Sequence, residues 1–165
     1  MKETIFRPMR RSDRQMLPEN CIPVLEAATS GVLALSGDEG YPYALPMSFA
    51  LAGDKLYFHS AATGHKIDAV RRCDKASFCV IAEDRVDAAH YTTHYRSVIA
   101  FGRIRQLDKP EEIRQALLYL AEKYSPQLPM EQHHRMIDGE LPNLAVLEMS
   151  IEHLTGKQHP ALLQQ

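Results

Sequence analysis

Apolar residues along this chain fall into short β-like runs separated by turn residues, with helical spacing in a few places. Gly31–Ser36 is an apolar run closed by Gly37-Asp-Glu-Gly40, and Tyr41–Leu51 follows as a second extended stretch. Pro42 and Pro46 have no N–H to give to a ladder, so this strand needs an edge or an interruption there. Ala52-Gly-Asp54 turns the chain into Lys55–Ser60. Ala76–Ala82, Thr92–Leu107 and Leu144–Leu154 are further strand candidates, with Gly102 as a bulge or bend and residues 83–91 as a polar connection. Helical spacing appears in Ile22–Thr29, starting at Pro23. It returns after Gly64, where Ile67 and Val70 form the apolar side. Asp108-Lys-Pro-Glu-Glu opens a longer helix with an apolar stripe of Ile113, Ala116, Leu117, Leu120 and Tyr124, and Met130–Met136 forms a short one.

About six antiparallel strands joined mostly by hairpins, with a few short helices, predict a mainly β, α+β domain of barrel type. The chain of 165 residues reads as a single domain 1–165, with an Arg-rich N-terminal arm over 1–17 and a helical insertion over 109–139. No Gly-x-Gly-x-x-Gly occurs, which argues against a doubly wound dinucleotide fold.

Composition narrows the function classes. A formal net charge of −2 gives no bulk attraction to nucleic acid or membrane. The first residues are too polar for a spanning segment or a leader. Three widely spaced cysteines without Cys-x-x-Cys fit a reducing cytoplasm and argue against a disulfide frame or a zinc site.

Small, hydroxylated and cationic residues gather where Lys55–Ser60 gives way to a helix: His59, Ser60, Thr63, Gly64, His65 and Lys66. A strand running into a helix N-terminus leaves backbone N–H groups free, Gly64 permits the break, and Lys66 adds a point charge. This composition suits a phosphate; the plain alternative is a solvated turn with a surface lysine. Alternation with Leu56 and Phe58 points His59 away from the side those residues share. His90 and His94 have the spacing of a metal pair but lack the Glu of His-Glu-x-x-His, and Tyr-Thr-Thr between them favours a strand that keeps them apart, so no metal site is expected. His133 and His134 are expected at the surface, and Cys79 in the core.

Taken in order, Gly-Val-Leu-Ala-Leu, Tyr-Pro-Tyr-Ala-Leu-Pro-Met-Ser-Phe, Lys-Leu-Tyr-Phe-His-Ser-Ala, Gly-His-Lys-Ile, Ala-Ser-Phe-Cys-Val and Tyr-Arg-Ser-Val-Ile-Ala-Phe-Gly resemble the pyridoxamine 5'-phosphate oxidase-like FMN-binding split barrels. The closest likeness is to their nitroimidazole-resistance branch. The resemblance implies a homodimer of split β-barrels with FMN in the subunit interface and the cofactor phosphate held near Phe58-His59-Ser60 and Gly64-His65-Lys66, with Lys66 as the phosphate cation and His59 and Ser60 as phosphate or ribityl contacts. It implies that the isoalloxazine lies along Tyr43–Ser48, against Leu45, Pro46, Met47 and Ser48. Tyr95, Arg96 and Ser97 match a further cofactor contact, and one histidine near the flavin is tied to function in that branch, with His59 and His65 as the candidates here. The activity implied is reduction of a small acceptor, nitroaromatics included, with reduced nicotinamide or another donor. The alternative is a non-catalytic flavin- or haem-binding storage or sensing protein. The chain ends His159-Pro-Ala-Leu-Leu-Gln-Gln165 and lacks the Arg-Leu-x-Pro ending of the vitamin B6 oxidases, which speaks against that substrate.

Overall fold

A computed structural model describes residues 6–140 and 143–162. Its strands are β1 (Gln15–Met16), β2 (Gly31–Ser36), β3 (Pro42–Met47), β4 (Ala50–Ala52), β5 (Lys55–Ala61), β6 (Lys75–Asp87), β7 (Thr92–Gln106) and β8 (Leu144–Gln158). The helices are α1 (Pro18–Ala27), α2 (His65–Arg72), α3 (Pro110–Tyr124) and α4 (Met130–Glu140). All pairings are antiparallel, in the order β3-β2-β6-β7-β8-β5-β4, with β1 added along β8.

This order dictates the shape. β3 and β4 are opposite edges of the sheet, yet only Ser48 and Phe49 separate them in sequence. Three extended peptide units reach no further than about 11 Å, so the sheet must curl until its edges nearly meet. The edges do not pair, and the result is the expected split barrel. Leu33, Phe49, Phe58, Phe78, Val80 and Val98 fill it without solvent exposure. Phe49 and Phe58 both meet the Phe78 ring edge-on, at 4.6 and 5.2 Å between centroids. α1 and α2 add Cys21, Leu25, Ile67 and Ala69 to the same core.

A second, smaller core lies on the outer face of β4, β5 and β8. There Ala116, Leu117 and Leu120 of α3 and Ile137 of α4 cover Ala50, Tyr57 and Val146. Within this layer Glu148 is nearly buried and sits 3.1 Å from Lys55 Nζ and 3.0 Å from Arg105 Nε. Arg105 also reaches Glu112 at 3.2 Å, which ties the first turn of α3 to the sheet. Burial and the Glu148 charge push the neighbouring Tyr57 hydroxyl up to about 12.

Several expectations need correction. Among the described residues the strands number eight, not about six, because β1 adds one and Tyr41–Leu51 divides into β3 and β4. It divides because the chain changes partner there, from β2 to β5. The polar connection 83–91 is mostly strand: after a bulge between Ile81 and Glu83, β6 continues to Asp87 as a hairpin with β7. α1 begins at Pro18 rather than Pro23, and Pro23 lies inside it. Part of the N-terminal arm is ordered on its own chain: Met16 is buried on β8, and the Phe6 ring stacks on His153 at 4.5 Å. Residues 1–5 of the arm lie outside the described set. Gly102 behaves as expected. A Cβ there would fall 1.9 Å from the Ser150 carbonyl oxygen, at the point where the β7–β8 register shifts. Among the described residues no helix is long and apolar enough to cross a membrane.

Burial alone would raise the Glu148 carboxyl, but hydrogen bonds and charges from Lys55 and Arg105 outweigh it and hold it below the ordinary value. The pair therefore stabilises the fold fully above the carboxyl pKa of the unfolded chain and loses that contribution as pH falls through the lower folded value. Urea unfolding from about pH 7 to about pH 3 is expected to show this acid-side decline, and Glu148→Gln is expected to flatten it. Glu148→Ala, which leaves two half-exposed cations without their partner, is expected to cost about 2 kcal/mol near neutrality.

Candidate functional site

The break between β5 and α2 is built on Gly64, whose φ of 125° and ψ of 175° are open to glycine and rarely to other residues. An added Cβ would meet nothing within 4 Å, so the requirement lies in the backbone and not in space. The Gly64 carbonyl accepts from the N–H groups of Ile67 (2.9 Å) and Asp68 (3.1 Å). The N–H groups of His65 and Lys66 find no acceptor among the described residues and remain available at the helix start. Lys66 is half-buried and makes no ion pair among the described residues. Ser60 donates its hydroxyl to the Ala61 carbonyl at 3.0 Å and keeps its oxygen lone pairs. Two N–H groups and a lysine at one strand–helix break are a donor set that fits a phosphate; the Ser60 hydroxyl joins it only by turning off the Ala61 carbonyl.

His65 is held. Its ring stacks on Tyr43 at 4.0 Å and 10°, and Nε2 lies 3.5 Å from Asp38. Asp38 is also bound by Arg72 at 2.5 Å, and that hydrogen bond holds its carboxyl below the ordinary range. The ring thus ties α2 to β3 and to the turn before it.

β3 pairs on one side only, with β2. Leu45 is buried toward the core, Tyr43 and Met47 are partly buried beside it, and Pro46 is exposed on the opposite face. The free edge of β3 faces the split. Phe58 is wholly buried against Phe78, main chain included, and pairs with Leu147 of β8, so it presents no group to a ligand. His59 points to the opposite face from Leu56 and Phe58, as alternation required, and together with Ser48 it lines a cavity of about 280 Å³ under α3 and α4. The two histidine candidates therefore occupy different places: His59 opens onto a cavity, and His65 is part of a stack.

Tyr95, Arg96 and Ser97 are not brought to this site. β7 lies three places from β3 in the strand order. Tyr95 accepts from Arg14 at 3.4 Å, and Arg96 donates to Gln158 at 3.1 Å. His90 and His94 were expected well apart, but the turn at Ala88–His90 brings both to Asp87, at 3.0 and 3.6 Å. Among the described residues, no group of three His, Cys, Asp or Glu side chains is set to hold a metal. His133 is buried, against the surface expectation, because its turn of α4 faces inward. Cys79 faces outward and is half-exposed, not core, because its neighbours Phe78 and Val80 take the inward positions.

Sequence reasoning placed Tyr124 in an apolar stripe and missed its chief role. Its hydroxyl accepts from the Phe49 N–H at 2.9 Å and lies 2.5 Å from the Thr29 carbonyl and 3.1 Å from that of Phe49. Lys123 sits over the Phe49 ring at 3.9 Å. The only local signal was a tyrosine at the end of a helix; its partners are 75 and 95 residues away.

A rolled antiparallel sheet whose two edges approach without pairing defines a split barrel. The chain belongs to the pyridoxamine 5'-phosphate oxidase family, whose model matches residues 18–158. No curated protein matches it. Among solved structures it is similar to a candidate 5-nitroimidazole antibiotic resistance protein from Bacteroides thetaiotaomicron (23% identity, 87% of this chain and 85% of that one, TM-score 0.75). It is also similar to the conserved hypothetical protein Rv2991 from Mycobacterium tuberculosis (20% identity, 94% and 92% covered, TM-score 0.80). A third is the FAD and heme binding protein from Mycobacterium smegmatis (22% identity, 89% and 74% covered, TM-score 0.72). At these identities the likeness is one of fold.

Tyr124→Phe is expected to leave the Phe49 N–H without its acceptor and to cost about 1–3 kcal/mol in chemical denaturation. Hydrogen exchange at the Phe49 amide should accelerate in this variant, while exchange in the middle of β7 stays slow.

Proposed function

We propose that this chain binds FMN and acts as a flavin-dependent oxidoreductase on a small-molecule acceptor, nitroaromatic compounds among them. The observation that carries this reading is the β5–α2 break. There a Gly64 conformation reserved for glycine, the free N–H groups of His65 and Lys66 and the lysine charge form a ready cradle for a terminal phosphate. FMN ends in such a phosphate. The open edge of β3, with Leu45, Pro46, Met47 and Ser48, offers backbone groups and apolar surface to a flat ring. Hydride and electron transfer are chemistry that the flavin supplies when bound. The chain's own part is to anchor the phosphate, orient the ring and keep water from its face. Reduced nicotinamide is the donor proposed, and the three free cysteines fit a cytoplasmic setting.

A homodimer is part of the same proposal. Across the outer face of five strands, Pro46, Val32, Cys79, Ile99 and Thr155 stand in one row by register. No helix core lies on this row, and Ile81 beside it is 68% exposed. Such a face suits a second copy, which is also the means by which Tyr95 and Ser97 of β7 would meet a cofactor on β3.

A second reading is a flavin- or haem-binding storage or sensing protein. It draws on the Mycobacterium smegmatis neighbour, which is described as binding FAD and heme. The spectrum of the bound cofactor separates haem from flavin, and steady-state oxidation of NADH separates an enzyme from a carrier.

The purified protein is expected to sediment as a dimer and to release FMN, identified by absorbance and mass spectrometry. Lys66→Ala is expected to weaken FMN binding by about tenfold or more with the fold unchanged by circular dichroism. A colourless preparation that takes up no added FMN would overturn the proposal.

A further inference from the structure

The cavity under the helical insertion shares Ser48 with the β3 edge, but its walls are explained neither by that edge nor by the phosphate cradle. Its walls are Leu117 and Leu120 of α3, Ile137 of α4 and Leu144 at the start of β8. At its mouth stand Ser48, from the split between β3 and β4, and His59, from the outward face of β5. Tyr124 also borders it, but that hydroxyl is committed to the backbone of Phe49 and Thr29.

We infer that this cavity is a binding site for an uncharged, ring-sized molecule, held by apolar contact along α3 and α4 and by hydrogen bonds from Ser48 and His59. Size supports a ring: the volume is about 280 Å³, and an apolar cavity of about 150 Å³ already takes benzene. Charge decides the class. Among the described residues lining it, the only charged side chain is Glu140, an exposed carboxylate at the rim, and no lysine or arginine lines it. An anionic ligand would leave water without a cation to receive it and would meet Glu140 on entry, both unfavourable. Ser48 and His59 can each donate or accept, so they can orient a neutral carbonyl, amide or similar group at the ring's edge. The phosphate-loving cradle at Lys66 and this anion-poor cavity thus divide the ligands by charge.

The role of the cavity as the acceptor pocket of the oxidoreductase rests on the flavin reading; its preference for an uncharged ring does not. The test uses benzamide and benzoate, two ligands of nearly equal shape that differ in charge, on the full chain as purified and again with FMN added. Binding is read from the methyl NMR signals of Met136, Leu117 and Leu144. Benzamide is expected to shift these signals saturably in both preparations, with benzoate binding about tenfold more weakly or worse. Ala121→Phe, which fills the cavity from α3, is expected to abolish the benzamide shifts while leaving FMN uptake unchanged. Met136→Trp blocks the rim at a position 59% exposed and serves the same purpose if the first variant folds poorly. Benzamide shifts without any FMN uptake would uphold the cavity and remove only the flavin reading. Equal binding of benzoate, shifts confined to other residues, or shifts that survive a folded blocking variant would overturn the inference.

Discussion

At Ser48–Phe49 the chain leaves one edge of the sheet and enters the other, so the backbone there has no neighbouring strand to pair with. Phe49 cannot move out to water, because its ring is fully buried against Phe78. Its N–H must therefore be satisfied from elsewhere, and the Tyr124 hydroxyl accepts it from the last residue of α3, while its single proton is shared between the Thr29 carbonyl at 2.5 Å and the Phe49 carbonyl at 3.1 Å. The same hydroxyl reaches Thr29 just past α1, so one group joins the split of the barrel, the first helix and the helical insertion. A polar group left alone in this position would cost more than most single apolar contacts return.

That clamp holds the insertion against the split of the barrel. α3 is fixed at both ends, by Arg105 and Glu148 near its start and by Tyr124 at its finish. Between these ends it stands over the outer face of β5, the face to which His59 points. The cavity is thus a consequence of holding a helix against a curled sheet whose edge stays open. The open edge of β3 follows from the same constraint, since closing the barrel with a further ladder would remove both the slot and the need for the clamp.

What the sequence revealed was local chemistry. The apolar inward positions of Leu33, Phe58, Phe78 and Val98 follow from alternation, and the role of Gly64 follows from its place between a strand and a helix start. What stayed hidden was set by distant partners. β1 is two residues long and exists because β8 offers an edge. Glu83–Asp87 reads as polar loop, yet pairs along Thr92–Arg96 because β6 continues past its bulge into a hairpin. Pro18 and Pro23 satisfy the same rule for a helix start, and the burial of Cys21 and Leu25 decides between them. Tyr124 carried no mark that its hydroxyl, rather than its ring, would matter.

The two histidines of the Lys55–Arg72 stretch show how far placement decides role. In sequence they are equivalent: each flanks the same small, polar turn. In the fold, one strand residue of alternation sends His59 outward to the cavity, while the helix start puts His65 against Tyr43 and Asp38. His65, set between an aromatic face and a carboxylate, ties the start of α2 to β3 and to Asp38. His59 stands with Ser48 at the cavity beneath α3 and α4. The shared turn does not separate the two rings; the partners that the fold brings to each of them do.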